Sequence, residues 1–321
     1  MDALGADTVG AGTVGTGTVL VTGAGGGVGG VGRTVVELLR ERSVPVRALV
    51  HHDDERAETL RGWGAEVVVG DLTRPDDVAG ALAGCRRMFF NMSVSPAYLE
   101  ATATVATVAR AVGTLDTLVA MSQMTVSQMT AVSTEESHQQ RLHWLSEQVL
   151  DWSGLPVRHL RPTVFLDNPL FTVLAARSIA DDATIRLPFG RGRTSPVAAS
   201  DVARVAAELL TDPAAHRAHV YELTGPRSQD MDGVAAEFSR ALGRPVTYVD
   251  VPPDEWVNLV ATQTDLAPFT RDHIVTMARL HRQNRYDRAT TTVEQVTGRP
   301  ARGVAEFVAE RAGLVGHPLG G

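Results

Sequence analysis

The segment Thr18–Thr22 (TVLVT) is a short apolar run that ends directly in glycines, Gly23-Ala-Gly-Gly-Gly-Val-Gly-Gly-Val-Gly32. A run of this length, apolar throughout, reads as a strand buried on both faces of a parallel sheet. Helical spacing follows at once, with Val31, Val35, Leu38 and Leu39 on one face and Arg40, Glu41 and Arg42 in the last turn. Strand, glycine turn and helix in that order are what a dinucleotide phosphate requires. One glycine makes the tight turn, one lets the backbone approach the pyrophosphate, and one lets helix pack on strand, while the free N–H groups at the helix start attract the anion. Gly23, Gly26 and Gly29 fit the spacing GxxGxxG. The turn is also three residues longer than that pattern needs, so Gly29 and Gly32 compete for the third role.

The same alternation continues. Strands are predicted at 46–50, 67–69, 88–90, 118–121 and 157–160, and helices at 57–61, 76–82, 101–111 and 138–152 between them. Repeated strand–helix units with short connections require right-handed crossovers, and so a doubly wound parallel sheet covered on both faces. Residues 18–165 therefore read as an α/β dinucleotide-binding (Rossmann) domain, and 1–17, rich in Gly, Thr, Ala and Val, as a flexible tail. After Arg161-Pro162 the rhythm breaks. A Gly/Arg loop (188–193), helices at 201–210 and 231–242, strands at 221–223 and 246–251 and helices at 269–282 and 303–312 follow. Residues 166–321 read as a smaller, mostly helical substrate lobe with extra strands returning to the sheet. No linker divides it from the first part. The echo SQMT at 122–125 and 127–130 reads as loop, not as an architectural repeat.

Composition removes other classes. The formal charge of -7 and the absence of a basic patch argue against nucleic acid. One cysteine, Cys85, allows no internal disulfide, reads as a small residue at a helix-to-strand connection and suits a reducing, cytoplasmic setting. No run is apolar for long enough to span a membrane, and residues 1–17 lack the basic start of a secretory signal. The histidines form neither an HxxxH nor an HExxH pair, and His51-His52 point to opposite sides of an extended chain. The expected partner is a small molecule. The sequence sets no oligomeric state.

The end of the second strand bears on which nicotinamide cofactor would bind. A carboxylate there suits a ribose 2′-hydroxyl, a basic group a 2′-phosphate. The chain reads Val50-His-His-Asp-Asp54 with Arg56 behind it. His51 immediately after the strand leans towards NADP, with NAD still open through Asp53 and Asp54, whose plainer reading is a solvated turn and a helix N-cap.

Several segments, in order, resemble the atypical short-chain dehydrogenases of the NmrA-like, quinone-reductase type. They are Val21-Thr-Gly-Ala24, Val46-Arg-Ala-Leu-Val50, Ala65-Glu-Val-Val-Val-Gly-Asp-Leu72, Gly154-Leu-Pro156, Leu160-Arg-Pro-Thr-Val-Phe165 with Asn168, Val197–Ala203 with Asp201, and Tyr221-Glu-Leu-Thr-Gly-Pro226. The resemblance covers roughly residues 18–252 and is looser near Thr297–Pro300 and Phe307. It implies that Thr22, Gly23, Gly25, Gly26, Gly29 or Gly32 and His51 serve the cofactor, and that Asp71 and Leu72 border adenine. It implies also that Asn91, Met92 and Ser93 lie along the cofactor, and that the 162–168 loop, with Pro162, Phe165 and Asn168, borders nicotinamide and substrate.

Typical short-chain dehydrogenases carry Tyr-x-x-x-Lys on the helix after the fifth strand, where four-residue spacing puts both groups on one face. With the frame YxxxKxxxE anchored on Glu147, this chain has Gln139 and His143 in those places. Gln139 donates no proton as an acid. His143 is the candidate ribose contact or proton shuttle near neutral pH, and Ser122, ending the fifth strand, the candidate hydrogen-bonder to cofactor or substrate. Hydride transfer to an activated acceptor asks less of an acid. The expectation is an NAD(P)H-dependent reductase of a quinonoid or conjugated acceptor, with an apolar pocket drawn from Met92, Met124, Phe165, Phe171 and Trp256. The alternative is a non-catalytic dinucleotide sensor of the NmrA kind. An isomerase or dehydratase with bound cofactor ranks third.

Overall fold

In the computed structural model, which describes residues 17–26 and 29–311, the strand–helix repeats build one parallel sheet. Of the tail expected over residues 1–17, all but residue 17 lies outside the described residues. The repeats are β1 (Thr18–Thr22), α1 (Val31–Glu41), β2 (Val46–Val50), α2 (Glu55–Gly62), β3 (Glu66–Val69), α3 (Pro75–Leu82), β4 (Cys85–Phe90), α4 (Tyr98–Val112), β5 (Thr117–Met121), α5 (His138–Trp152) and β6 (Val157–Pro162). Cys85, first residue of β4, is buried as expected of a small packing residue.

The chain then runs through a helix that is π-wound over Leu170–Ala175 and α-helical over α6 (Ala176–Asp182), and on to β7 (Thr184–Leu187), α7 (Ala199–Thr211) and β8 (Val220–Leu223). Next come α8 (Met231–Leu242), β9 (Thr247–Asp250), α9 (Pro253–Gln263), α10 (Pro268–Arg282), α11 (Thr292–Thr297) and α12 (Val304–Glu310).

The main sheet has the order β3-β2-β1-β4-β5-β6-β8, with every pair parallel. β1 sits between β2 and β4 in registers such as Val21↔Ala48 and Val21↔Phe89. Its alternate side chains serve opposite faces. Val19 and Val21 join a core with α1, α2 and α7, whereas Leu20 joins one with α3, α4 and α5. Burying a Val or Leu fully is worth about 1.5–3 kcal/mol, so a one-residue slip of β1 would expose neither face to water but would mismatch both.

Two expectations are corrected here. Of the two extra strands, the one at 220–223 does join the main sheet as β8. The other, β9, does not; it pairs in parallel with β7, a strand the sequence pattern missed, in a separate two-stranded sheet. The SQMT echo is not all loop, because Met124–Gln128 winds into a 3-10 helix. The lobe has its own core, built on Phe171, Leu187, Phe238, Trp256 and Phe307.

Candidate cofactor and substrate site

The strand order reverses between β1 and β4, and ligands of open parallel sheets bind outside the carboxyl ends of the strands at such a switch. The glycine turn lies there. Gly23 has φ +71°, a backbone region open to glycine, and a Cβ on it would meet the Asn91 carbonyl oxygen at 2.6 Å. Thr22 fixes that approach: its Oγ1 donates to the Asn91 carbonyl at 2.8 Å and accepts from the Asn91 N–H at 3.0 Å. A Cβ on Gly26 would stand 3.2 Å from the Gly23 oxygen and 3.4 Å from Ser93 Oγ. On Gly32 it would lie 2.8 Å from the carbonyl carbon and oxygen of Gly23. Gly32 is thus the residue that lets α1 pack on the end of β1. Gly29 serves a different contact. At φ +66° it passes the first turn of α7, where a Cβ would meet Ala199 Cβ at 2.9 Å.

Above the turn lies a cavity of about 280 Å³. One wall comes from the strand ends: Gly23 and Gly26 after β1, Asn91, Met92, Ser93 and Val94 after β4, Ser122 after β5, and Pro162–Phe165 with Asn168 after β6. The facing wall comes from the lobe, with Leu266, Thr270, His273, Ile274 and Met277 around α10 and Tyr286 behind it. Asn168 both lines the cavity and holds its own loop, its Oδ1 accepting from the Leu170 N–H at 3.0 Å.

Two hydroxyls of the sheet-side wall, Ser122 Oγ and Thr163 Oγ1, are buried without a hydrogen-bond partner. Buried polar groups are normally satisfied, so an unpaired pair in a cavity points to polar atoms of a ligand. Such atoms, together with a cradle that Cβ atoms would fill, fit a nicotinamide dinucleotide.

The sheet-side histidine, His143, packs against Tyr98 with ring centroids 4.2 Å apart and the rings tilted by 33°, and its Nδ1 is buried and unpartnered. Burial, aided by the nearby His273, holds its pKa down to about 3. The proton-shuttle expectation near neutral pH is therefore corrected: the ring is neutral there, because no partner offsets its desolvation. His273, on the opposite wall, is likewise pushed down by burial to about 4. Its Nδ1 lies 2.8 Å from Ser137 Oγ, which already accepts from the Gln140 N–H as the N-cap of α5. The Ser137 hydroxyl donates to or accepts from Nδ1 according to the tautomer of the His273 ring. Sequence reading missed this residue; the cue was the helical set His273, Ile274 and Met277, which shares one face of α10.

At the end of β2 both acidic side chains are engaged locally. Asp53 pairs with Arg61 at 2.8 Å. Asp54 caps α2, accepting from the Arg56 N–H at 3.0 Å, and pairs with the Arg56 side chain. Arg56 also donates to the Gly25 carbonyl at 2.6 Å, which brings a guanidinium to the glycine turn. His51 is exposed beside it. Asp71 is engaged by Thr73, whose N–H and hydroxyl both donate to it at 2.8 Å, and Leu72 packs on the core under α3 and α4.

The cavity brings together Gly23, Gly26, Met92, Ser93, Ser122, His143, Pro162, Phe165 and Asn168. Gly25, His51, Asp71 and Leu72 lie apart from it, along the ends of β1, β2 and β3. Thr22 is wholly buried and engaged with Asn91, so it positions the turn instead of facing a ligand. Met124, Phe171 and Trp256 are corrected as pocket residues. Met124 is fully buried under the 3-10 turn, and Phe171 and Trp256 belong to the core of the lobe. Arg161, at the end of β6, is held by Glu147 of α5 at 3.0 Å.

Comparison with known proteins agrees with this geometry. Residues 26–213 match the model of a family described as NAD(P)H-binding. The chain is 31% identical to the NAD(P)H azoreductase of Xenophilus azovorans over 91% of its own length and 98% of that enzyme. It is also 31% identical to the (4-alkanoyl-5-oxo-2,5-dihydrofuran-3-yl)methyl phosphate reductase of Streptomyces griseus, over 92% of this chain and 98% of the relative. Among solved structures, an NADPH-dependent quinone oxidoreductase of Escherichia coli complexed with NADPH shares the fold. Its TM-score is 0.77 at 21% identity, over 91% of this chain and 99% of that one.

Proposed function

The chain belongs to the NAD(P)H-binding family of atypical short-chain dehydrogenases/reductases, and we propose that it reduces a flat quinonoid or otherwise conjugated acceptor with NADPH, without a Tyr-Lys dyad. That it is an NAD(P)H-dependent oxidoreductase follows from its kinship; the acceptor and the way protonation is managed are our reading. The observation that carries it is the two-walled cavity over the glycine turn, with the unpaired Ser122 and Thr163 hydroxyls on the sheet side and the apolar Leu266, Ile274 and Met277 on the lobe side.

When bound, the nicotinamide supplies the hydride. The residues of the chain do the rest. Gly23, Gly26 and the start of α1 would hold the pyrophosphate, and Met92 and Ser93 would lie along the cofactor. Ser122 Oγ and Thr163 Oγ1 would receive the polar atoms of the ring end. His51 and Arg56 would favour the 2′-phosphate of NADPH, with Asp53 held by Arg61 and Arg56 exchanging part of its contact with Asp54 for the phosphate. Leu266, Ile274 and Met277 would exclude water and accept an apolar face. Gln139, in the tyrosine position, is buried with its Oε1 engaged by the Ser95 N–H and cannot serve as an acid. Neutral His273, in the tautomer that carries its proton on Nε2, would instead offer a hydrogen bond to the acceptor. A conjugated acceptor needs no more, because the developing charge is delocalised over it. The names of the relatives support this class: an azo compound, a butenolide phosphate and a quinone are all conjugated.

The test is steady-state NADPH oxidation with a panel of quinones, azo dyes and simple ketones. Turnover of the conjugated acceptors, and none of the simple ketones, is expected. Tight NADPH binding with no turnover of any acceptor would overturn the reading in favour of a dinucleotide sensor.

A further inference from the structure

Outside the lining of the cavity, α5, β6 and the entry to β8 converge on three side chains. Asp151 stands in the last turn of α5, His159 in β6, and His219 directly before β8. Asp151 Oδ1 lies 2.8 Å from His159 Nε2 and 2.9 Å from His219 Nε2. The two imidazoles are perpendicular, with centroids 5.0 Å apart, and all three ligand atoms fall within 4.8 Å of one another. The frame is rigid: the His159 N–H donates to the His219 carbonyl at 2.8 Å within the β6–β8 pairing. One turn earlier on α5, Glu147 grips Arg161 of the same strand.

The second nitrogen of His219 fixes which nitrogen faces the carboxylate. Its Nδ1 lies 3.1 Å from the Val157 carbonyl oxygen, which can only accept, so Nδ1 carries the hydrogen. In the neutral ring Nε2 is then a lone pair, and it faces a carboxylate oxygen at 2.9 Å. Two acceptors at that distance repel unless a cation lies between them. An imidazole fixed by a backbone carbonyl on one nitrogen, with the other turned to a shared centre, is the arrangement that orients metal-binding histidines.

We propose that Asp151, His159 and His219 form a binding site for a divalent transition-metal ion, Zn²⁺ by its ligand set. Two imidazoles and one carboxylate match zinc, which takes these donors at about 2.0–2.2 Å and completes a tetrahedron with water. His159 is buried and the other two residues are exposed, so one side of the centre is open to solvent for that water. Tetrahedral ligands stand roughly 3.3 Å apart, so each imidazole nitrogen needs to move about 0.4–0.5 Å away from the Asp151 oxygen. The ion would pin α5, β6 and the edge strand β8 together outside the lining of the cavity.

The experiment uses the full chain, stripped with a chelator and dialysed, and titrates Zn²⁺ against a competing chromophoric chelator, with thermal melting in parallel. One equivalent should bind with micromolar or tighter affinity and raise the melting temperature. Co²⁺ in its place should give the intense visible absorption of a tetrahedral centre. His219→Ala and Asp151→Asn should each weaken uptake at least tenfold and abolish the thermal shift, while NADPH binding stays unchanged. No saturable uptake by the parent chain, or equal uptake by His219→Ala, would overturn the site. A proton on His219 would then be what separates the two acceptors.

Discussion

The sheet-side wall of the cavity is built on backbone turns at the strand ends, whereas the lobe-side wall is made of side chains on and around α10. Gly23, Gly26 and Gly32 act by lacking a side chain, and each is closed in by backbone or by the neighbouring strand end. Ile274, Met277 and Leu266 act through their bulk. A wall of backbone recognises what every dinucleotide shares. A wall of side chains is free to differ between relatives without loss of the cofactor, and it is where acceptor choice should reside.

The largest effect is expected where the backbone wall is filled. Gly32→Val places a branched side chain against the Gly23 carbonyl group, and lifting α1 off β1 should cost NADPH about 100-fold in affinity, about 2.7 kcal/mol. Equilibrium binding by nicotinamide fluorescence would read it. If that variant fails to fold, Gly26→Val is the second probe, since its Cβ contacts at 3.2 and 3.4 Å can relax. Unchanged affinity in a folded Gly26→Val protein would remove the pyrophosphate from this turn.

Filling the other wall should separate the two ligands. Ile274→Trp narrows the cavity from the lobe side, and kcat/KM for a bulky quinone should fall about 10- to 100-fold, the range a few methylene-sized contacts command. NADPH affinity should stay within about twofold. Equal losses for acceptor and cofactor would mean the walls are not distinct.

The contrast also decides what a sequence discloses. The glycine turn and the strand runs were legible because each element is specified locally, by a residue that must be small or by an apolar run of strand length. The competition between Gly29 and Gly32 was not. Which glycine faces the Gly23 carbonyl depends on how a lengthened turn packs, and both lie next to the start of α1. The lobe wall was illegible for a similar reason. Phe171, Trp256 and Met124 have the chemistry of pocket residues, but the fold buries them in cores, and it brings His273 across more than a hundred residues to face Ser122 and His143. Gln139 and His143 were placed correctly on α5 by the spacing from Glu147. Burial beside Tyr98, which keeps His143 neutral, has no signature in the chain.

A smaller effect, about tenfold, is set by pH at the buried histidine of the lobe wall. A histidine whose folded pKa is depressed leaves the native state neutral while the unfolded chain takes up a proton. Stability from that group is fully present above the unfolded pKa near 6.5 and is lost as pH falls towards the folded value, about 4 for His273. Between pH 7.5 and 5.5 one such group removes about 1.4 kcal/mol. Urea denaturation of the parent and of His273→Phe at both pH values should show a drop smaller by about that amount in the variant. Over the same window neither His143 nor His273 should give an inflection in kcat/KM, since both stay deprotonated down to about 3 and about 4. Equal drops in parent and variant would mean that water reaches His273 in the folded protein.

The smallest effect is the sharpest control on the backbone wall. Gly25 stands in the same turn as Gly23 and Gly26, but its φ is not in the left-handed region. A Cβ on it would meet Val50 Cγ1 at 3.9 Å, an ordinary contact. Gly25→Ala should therefore fold normally and gain up to about 0.4–1 kcal/mol by restricting the unfolded chain. NADPH affinity should stay within about twofold, because the residue reaches Arg56 through its carbonyl, which alanine keeps. Thermal melting and equilibrium binding read both quantities. A tenfold loss of NADPH affinity in a stable Gly25→Ala protein would show that the cofactor lies against Gly25. The wall would then run on from Gly23 and Gly26 towards Arg56 and the end of β2.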